Sequence, residues 1–216
     1  MIAKPVSTLA HRTCIAATIE AAKNLDKAKR KEFLKQISGV FNFNDPSVTG
    51  FITEGIVISC LKSCDWASFN GFNFDGWPAK PAEIVLFPGE GYQLQGNFFT
   101  PTLLVPLRWD FPLVDAVIVY QHEDHCYVVG IQITTKKPVN HAHSYEFVTD
   151  PRCHTLFVPE SYLAGKICDN STPAKYSVGL LWIVPQKDVG DLPANGDRQG
   201  VISLEFFESE CGVPIP

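Results

Sequence analysis

Residues 106–143 read PLRWDFPLVDAVIVYQHEDHCYVVGIQITTKKPVNHAH. Two runs rich in Val and Ile flank the polar turn Gln121-His122-Glu123-Asp124-His125, which predicts a hairpin of buried strands. One carboxylate, Asp115, lies inside the first run, and Gln132-Ile133-Thr134 ends the second. A polar group set in such a run costs about 2–7 kcal/mol unless it is compensated. A metal ion is one compensation, and backbone donors or Arg108 are another for Asp115. Gln132 and Thr134 stand two residues apart and so share one face of a strand, while the hairpin places Asp115 near the end where that strand finishes. Ordinary polarity on a solvated strand face is the other reading of the pair. Oxygen donors of this kind suit a hard divalent cation such as Mg²⁺ or Mn²⁺, and ions of that class drive phosphodiester hydrolysis.

Further strands are expected outward from this hairpin at 83–87, 103–106, 155–158, 178–184 and 201–207, with the hairpin strands themselves at 113–120 and 127–134. A helix is expected to open at Asp45-Pro46, where Asp can cap and Pro suits the first turn. Glu54 is the only acid between Asp45 and Asp65, which makes it a candidate helix-borne ligand. The first forty residues carry Ala-rich and Lys-rich helical signals ending near Gly39. The chain therefore divides into a helical N-terminal extension, 1–44, and an α/β (α+β) domain, 45–216, built on a mixed central sheet flanked by helices.

Length and composition agree with this division. The 216 residues are 45% hydrophobic and 19% charged, enough apolar material for a real core and too much for a disordered chain. A formal net charge of -5 weighs against coating nucleic acid by bulk electrostatics, without removing a local basic channel. The one dense basic run includes Lys27, Lys29, Arg30 and Lys31, suited to phosphate contact, to nuclear import, or simply to a solvated helix face. Seven cysteines leave at least one unpaired, and Cys60 and Cys126 sit among apolar neighbours, so a reducing compartment is expected. His122, His125, Cys126, Cys153 and His154 match no structural zinc spacing. No secretory signal is present, and no apolar run approaches the roughly 20 residues of a membrane span. Any export signal is expected outside this chain. Phosphate-loop, dinucleotide and Ser-His-Asp patterns are also missing from the sequence.

The phrases Phe111-Pro112-Leu113-Val114-Asp115-Ala116, Gly130-Ile131-Gln132-Ile133-Thr134 with His141 soon after, and Leu180-Leu181-Trp182-Ile183-Val184-Pro185 resemble the C-terminal effector region of Crinkler and retrotransposon-hot-spot (RHS) proteins. The resemblance spans residues 46–207 and is strongest between Pro106 and His141. It implies a divergent PD-(D/E)xK restriction-endonuclease-like fold, with DNA the favoured substrate and Mg²⁺ or Mn²⁺ the cofactor. It further implies an effector delivered into a host cell and acting there, the nucleus included. Carried onto this chain, the resemblance makes Asp115 the metal-binding aspartate, puts Gln132 where the acid of the ExK triplet is usual, and makes Glu54 the acid of the leading helix. Thr134 stands where lysine is usual. Lys136, or its neighbour Lys137, is then expected to supply the missing positive charge, and His141 matches a histidine of the pattern. A fold that has lost catalysis and binds a host protein or DNA is the alternative these substitutions raise.

Overall fold

In the computed structural model the Val- and Ile-rich runs form one six-stranded sheet. The residues described are 17, 21, 25–26, 28–29, 32–33, 36, 46–62, 66, 77, 83–88, 100–107, 111, 113–135, 138–163, 176–191, 198–211 and 215. The strands are β1 (Glu83–Phe87), β2 (Thr102–Pro106), β3 (Ala116–His122), β4 (His125–Ile133), β5 (Tyr176–Val184) and β6 (Gln199–Ser203). They lie side by side in chain order. β2, β3 and β4 form an antiparallel meander, whereas β1 runs parallel to β2, and β5 and β6 continue parallel to β4. The architecture is thus a mixed α+β one.

The central strands bury both faces, which explains why they read as continuous apolar runs rather than as alternating ones. Ile118, Tyr120, Val129, Ile131 and Ile183 pack with helix α1 (Pro46–Leu61) and helix α2 (Leu204–Cys211) on one side. Val117, Val119, Val128, Leu180 and Trp182 pack with Phe147, Val148 and Phe157 on the other. Those last three residues belong to a chain of short helical turns between Pro138 and Leu163. All residues from Thr53 to Leu61 of α1 are buried, as expected of a helix apolar on every side. Trp66 follows it, fully buried, and its Nε1 donates to Leu61 O at 2.6 Å. Trp77 donates to Trp66 O and sets its ring edge-on against Tyr120. Both indoles therefore serve packing, Trp66 in the core and Trp77 against it.

Several expectations need correction. β3 begins at Ala116, so Asp115 precedes the strand rather than lying inside it, although its N–H still joins the ladder by donating to Ile131 O at 2.7 Å. Thr155–Phe157 is a 3-10 turn, not a strand; a short apolar run does not by itself separate the two. The segment expected as strand 201–207 changes at Ser203, whose Oγ accepts from Phe206 N and caps α2. Cys60, read as a reduced thiol, is buried and disulfide-bonded, while Cys126 and Cys153 are free. Burial alone pushes the Cys126 thiol up to about 12, which makes it inert. Most of the 1–44 extension lies outside the described residues.

Candidate functional site

The site lies where β4 ends and β3 begins. The register Ala116↔Ile131, extended by one residue, sets Asp115 opposite Gln132. Their side chains meet: Gln132 Nε2 donates to Asp115 Oδ2 at 2.7 Å, and Ile133 N donates to the same oxygen at 2.7 Å. Asp115 is thus satisfied partly by backbone, one of the two outcomes the sequence allows. Gln132 is 6% exposed. Its Oε1 accepts from Ser144 Oγ at 2.8 Å, and its Nε2 also reaches Ile133 O at 3.4 Å.

Thr134 continues the β4–β5 pairing through its N–H, which donates to Ile183 O. Its Oγ1 lies 3.1 Å from His141 Nε2. His141 and Ser144 both come from the 3-10 segment Pro138–Tyr145, which kinks at His141 (φ -119°, ψ 28°). Gly130 lets this layer close down on β4, because a Cβ there would stand 2.7 Å from a Phe147 ring carbon. On the other flank, Leu113 holds φ 80° two residues before Asp115. A leucine in that region is strained by about 1–3 kcal/mol, so the segment delivering Asp115 is set by its surroundings rather than by its own preference.

The described contacts therefore gather Asp115, Gln132, Thr134 and His141, and add Ser144. Glu54 is buried, at 6% exposed, on α1, the helix that packs over the face carrying Ile131 and Ile133. Gln132 and Thr134 have the opposite strand parity. Lys136 and Lys137 lie outside the described residues, as do Lys27, Arg30 and Lys31. Lys29 is exposed and pairs with Asp26 at 3.2 Å, and the backbone bond from Lys29 N lowers the Asp26 pKa. The polar turn is solvated at His122, Glu123 and Asp124, whereas His125 bonds Ser177 Oγ at 2.9 Å. Desolvation lowers the His125 pKa, with Asp124 opposing it. Among the described residues no three His, Cys, Asp or Glu side chains form a group able to hold a metal. No helix among them is long and apolar enough to cross a membrane.

Ser144 and Leu113 were not legible in the sequence. Ser144 meets Gln132 across twelve residues only because the 3-10 segment folds back, and a leucine carries no signal for a positive φ. The chain matches no protein-family model, and comparison with curated proteins and with solved structures finds no match.

Proposed function

We propose that this chain is a nuclease-like effector domain of the PD-(D/E)xK kind, hydrolysing nucleic-acid phosphodiesters, DNA foremost, with Mg²⁺ or Mn²⁺ at Asp115. The observation that carries the reading is the direct meeting of Asp115 with Gln132 at the ends of paired strands, with Thr134 two residues on. The order of a leading helix, an antiparallel meander and a parallel β5 supports it. So does the position of the polar cluster at the carboxyl ends of the parallel pair β4 and β5, where open sheets hold their ligands.

The donor set suits a weakly held hard cation. Gln132 Nε2 lies between two oxygens, Asp115 Oδ2 at 2.7 Å and Ile133 O at 3.4 Å, and turning the carboxamide over would add Oε1. Only one of these three oxygen donors brings a negative charge, so the affinity is expected to fall below that of a two-carboxylate site. Bound there, the ion would polarise a phosphate oxygen and acidify its water. Asp115 and Gln132 would hold it, with Glu54 assigned a supporting place by the resemblance alone. The imidazole of His141, tethered by Thr134, stands at the same strand end to contact phosphate or carry a proton. Lys136, or Lys137, is assigned the stabilisation of developing charge. Lys27, Lys29, Arg30 and Lys31 are assigned phosphate contact. Delivery from the producing organism and action in a host nucleus rest on the resemblance alone.

A second reading is a nuclease fold without catalysis that binds a host protein or DNA. It is favoured by the Gln132 carboxamide, whose –NH₂ already gives Asp115 a hydrogen-bond donor where a cation would otherwise be needed. Plasmid DNA incubated with the protein and Mg²⁺ or Mn²⁺, beside Asp115→Ala, separates the two. Cleavage by the wild type that is lost in the variant supports catalysis. Equal cleavage by both, or none by either, overturns it.

A further inference from the structure

We propose that Ser144 is a positioning residue that selects which end of the Gln132 carboxamide meets Asp115, and so sets how readily the site takes up a divalent cation. The inference rests on the nuclease reading of Asp115 and Gln132. Ser144 is 1% exposed, and its hydroxyl donates to Gln132 Oε1 at 2.8 Å. With Oε1 held there, the amide must present Nε2 to Asp115 Oδ2, at 2.7 Å. The two orientations are exclusive. A cation shared by Asp115 and Gln132 needs Oε1 where Nε2 now stands, since an –NH₂ group has no lone pair to offer a hard ion.

Turning the amide over would bring Nε2 to Ser144 Oγ. The hydroxyl can accept that bond, but its own hydrogen then loses Oε1, and a buried donor without an acceptor is costly. Ser144 thereby holds the carboxamide in its cation-excluding orientation. Removing the hydroxyl relieves that hold, because Oε1 is then stranded in the present orientation and gains a partner on turning. A carboxylate at position 132 behaves in the opposite way. It has oxygens at both ends and needs no turning, so the Ser144 bond then orients a cation ligand and supports affinity.

The test is a double-mutant cycle read by Mn²⁺ binding, with free Mn²⁺ measured by electron paramagnetic resonance and folding checked by thermal melts. Four proteins are compared: wild type, Ser144→Ala, Gln132→Glu and the double variant. Ser144→Ala is expected to bind Mn²⁺ about fivefold more tightly than wild type, by roughly one hydrogen bond. The double variant is expected to bind about tenfold more weakly than Gln132→Glu. This reversal of sign is what a merely structural serine would not produce. Shifts of the same sign in both backgrounds, no shift in either, or no Mn²⁺ uptake by any of the four overturn the proposal. Should Ser144→Ala melt early, Ser144→Cys repeats the cycle with a similar volume and a much weaker donor. DNA left uncut while the signs still oppose removes the catalytic reading and leaves the role of Ser144 standing.

Discussion

Gly130→Ala probes the packing that brings the 3-10 layer onto the sheet. An alanine Cβ at this position would lie 2.7 Å and 2.9 Å from two ring carbons of Phe147 and 2.8 Å from Val114 Cγ1. Carbon atoms in good contact sit about 3.5–4.0 Å apart, so the neighbours must retreat by about 0.6–1.3 Å. Neither has free room. Phe147 is 0% and Val114 2% exposed, and the Phe147 ring is also packed by Phe157 and His154. Overpacking of this kind costs about 1–3 kcal/mol. Urea denaturation should show the unfolding free energy falling by that amount, as a lower midpoint at an unchanged slope. Phe147→Leu is destabilising alone, but it removes ring atoms that the new methyl would strike. The two substitutions together should then cost less than their sum by about 1 kcal/mol. If Gly130→Ala stays within about 0.5 kcal/mol of wild type, or the pair is simply additive, the close approach of this layer does not limit the fold as argued.

Two further outcomes follow from the backbone and from charge. Glu123 closes the two-residue turn between His122 and His125 with φ 55°, a conformation that costs an ordinary residue about 1–2 kcal/mol. Glu123→Gly removes that cost and loses about 0.4–1 kcal/mol to the freer unfolded chain. A net gain of about 0.5–1 kcal/mol should raise the melting temperature, and a lower one would contradict the turn assignment. Asp150 caps the turn Pro151–His154 and accepts from Arg152 through both side-chain and backbone bonds, which hold its carboxyl at about 2, below its ordinary 3.8. A pKa depressed in the folded state stabilises above the unfolded value and is lost as pH falls through the folded one. Acid melts of wild type should therefore lose stability from about pH 4 towards pH 2, and Asp150→Asn should flatten that part of the curve. Identical slopes for both proteins would show that the cap adds nothing.

The hairpin was legible because its two controls are local. Apolar runs specify buried strands, and the polar stretch 121–125 between them marks the turn. Residues 106–134 alone therefore place Asp115 near the end of the second strand, while the tight turn after His122 sets the register opposite Gln132. The same reasoning failed where one residue carries the signal. Ser203 ends a strand by capping a helix, and the apolar run before it hides the change. Thr155–Phe157 is too short for periodicity to separate strand from turn.

By itself the sequence determined the strand pair, the leading helix and the chemistry available at Asp115, Gln132 and Thr134. How those groups are satisfied depends on packing between segments distant in the chain. Ser144 and His141 reach the strand end because the segment 138–145 folds back over it. Glu54 rides on the helix packed against the other strand parity. The reason is physical. Strand pairing is governed by neighbours two residues apart, whereas the orientation of a buried carboxamide depends on whichever distant donor and acceptor the packed layers place at its two ends.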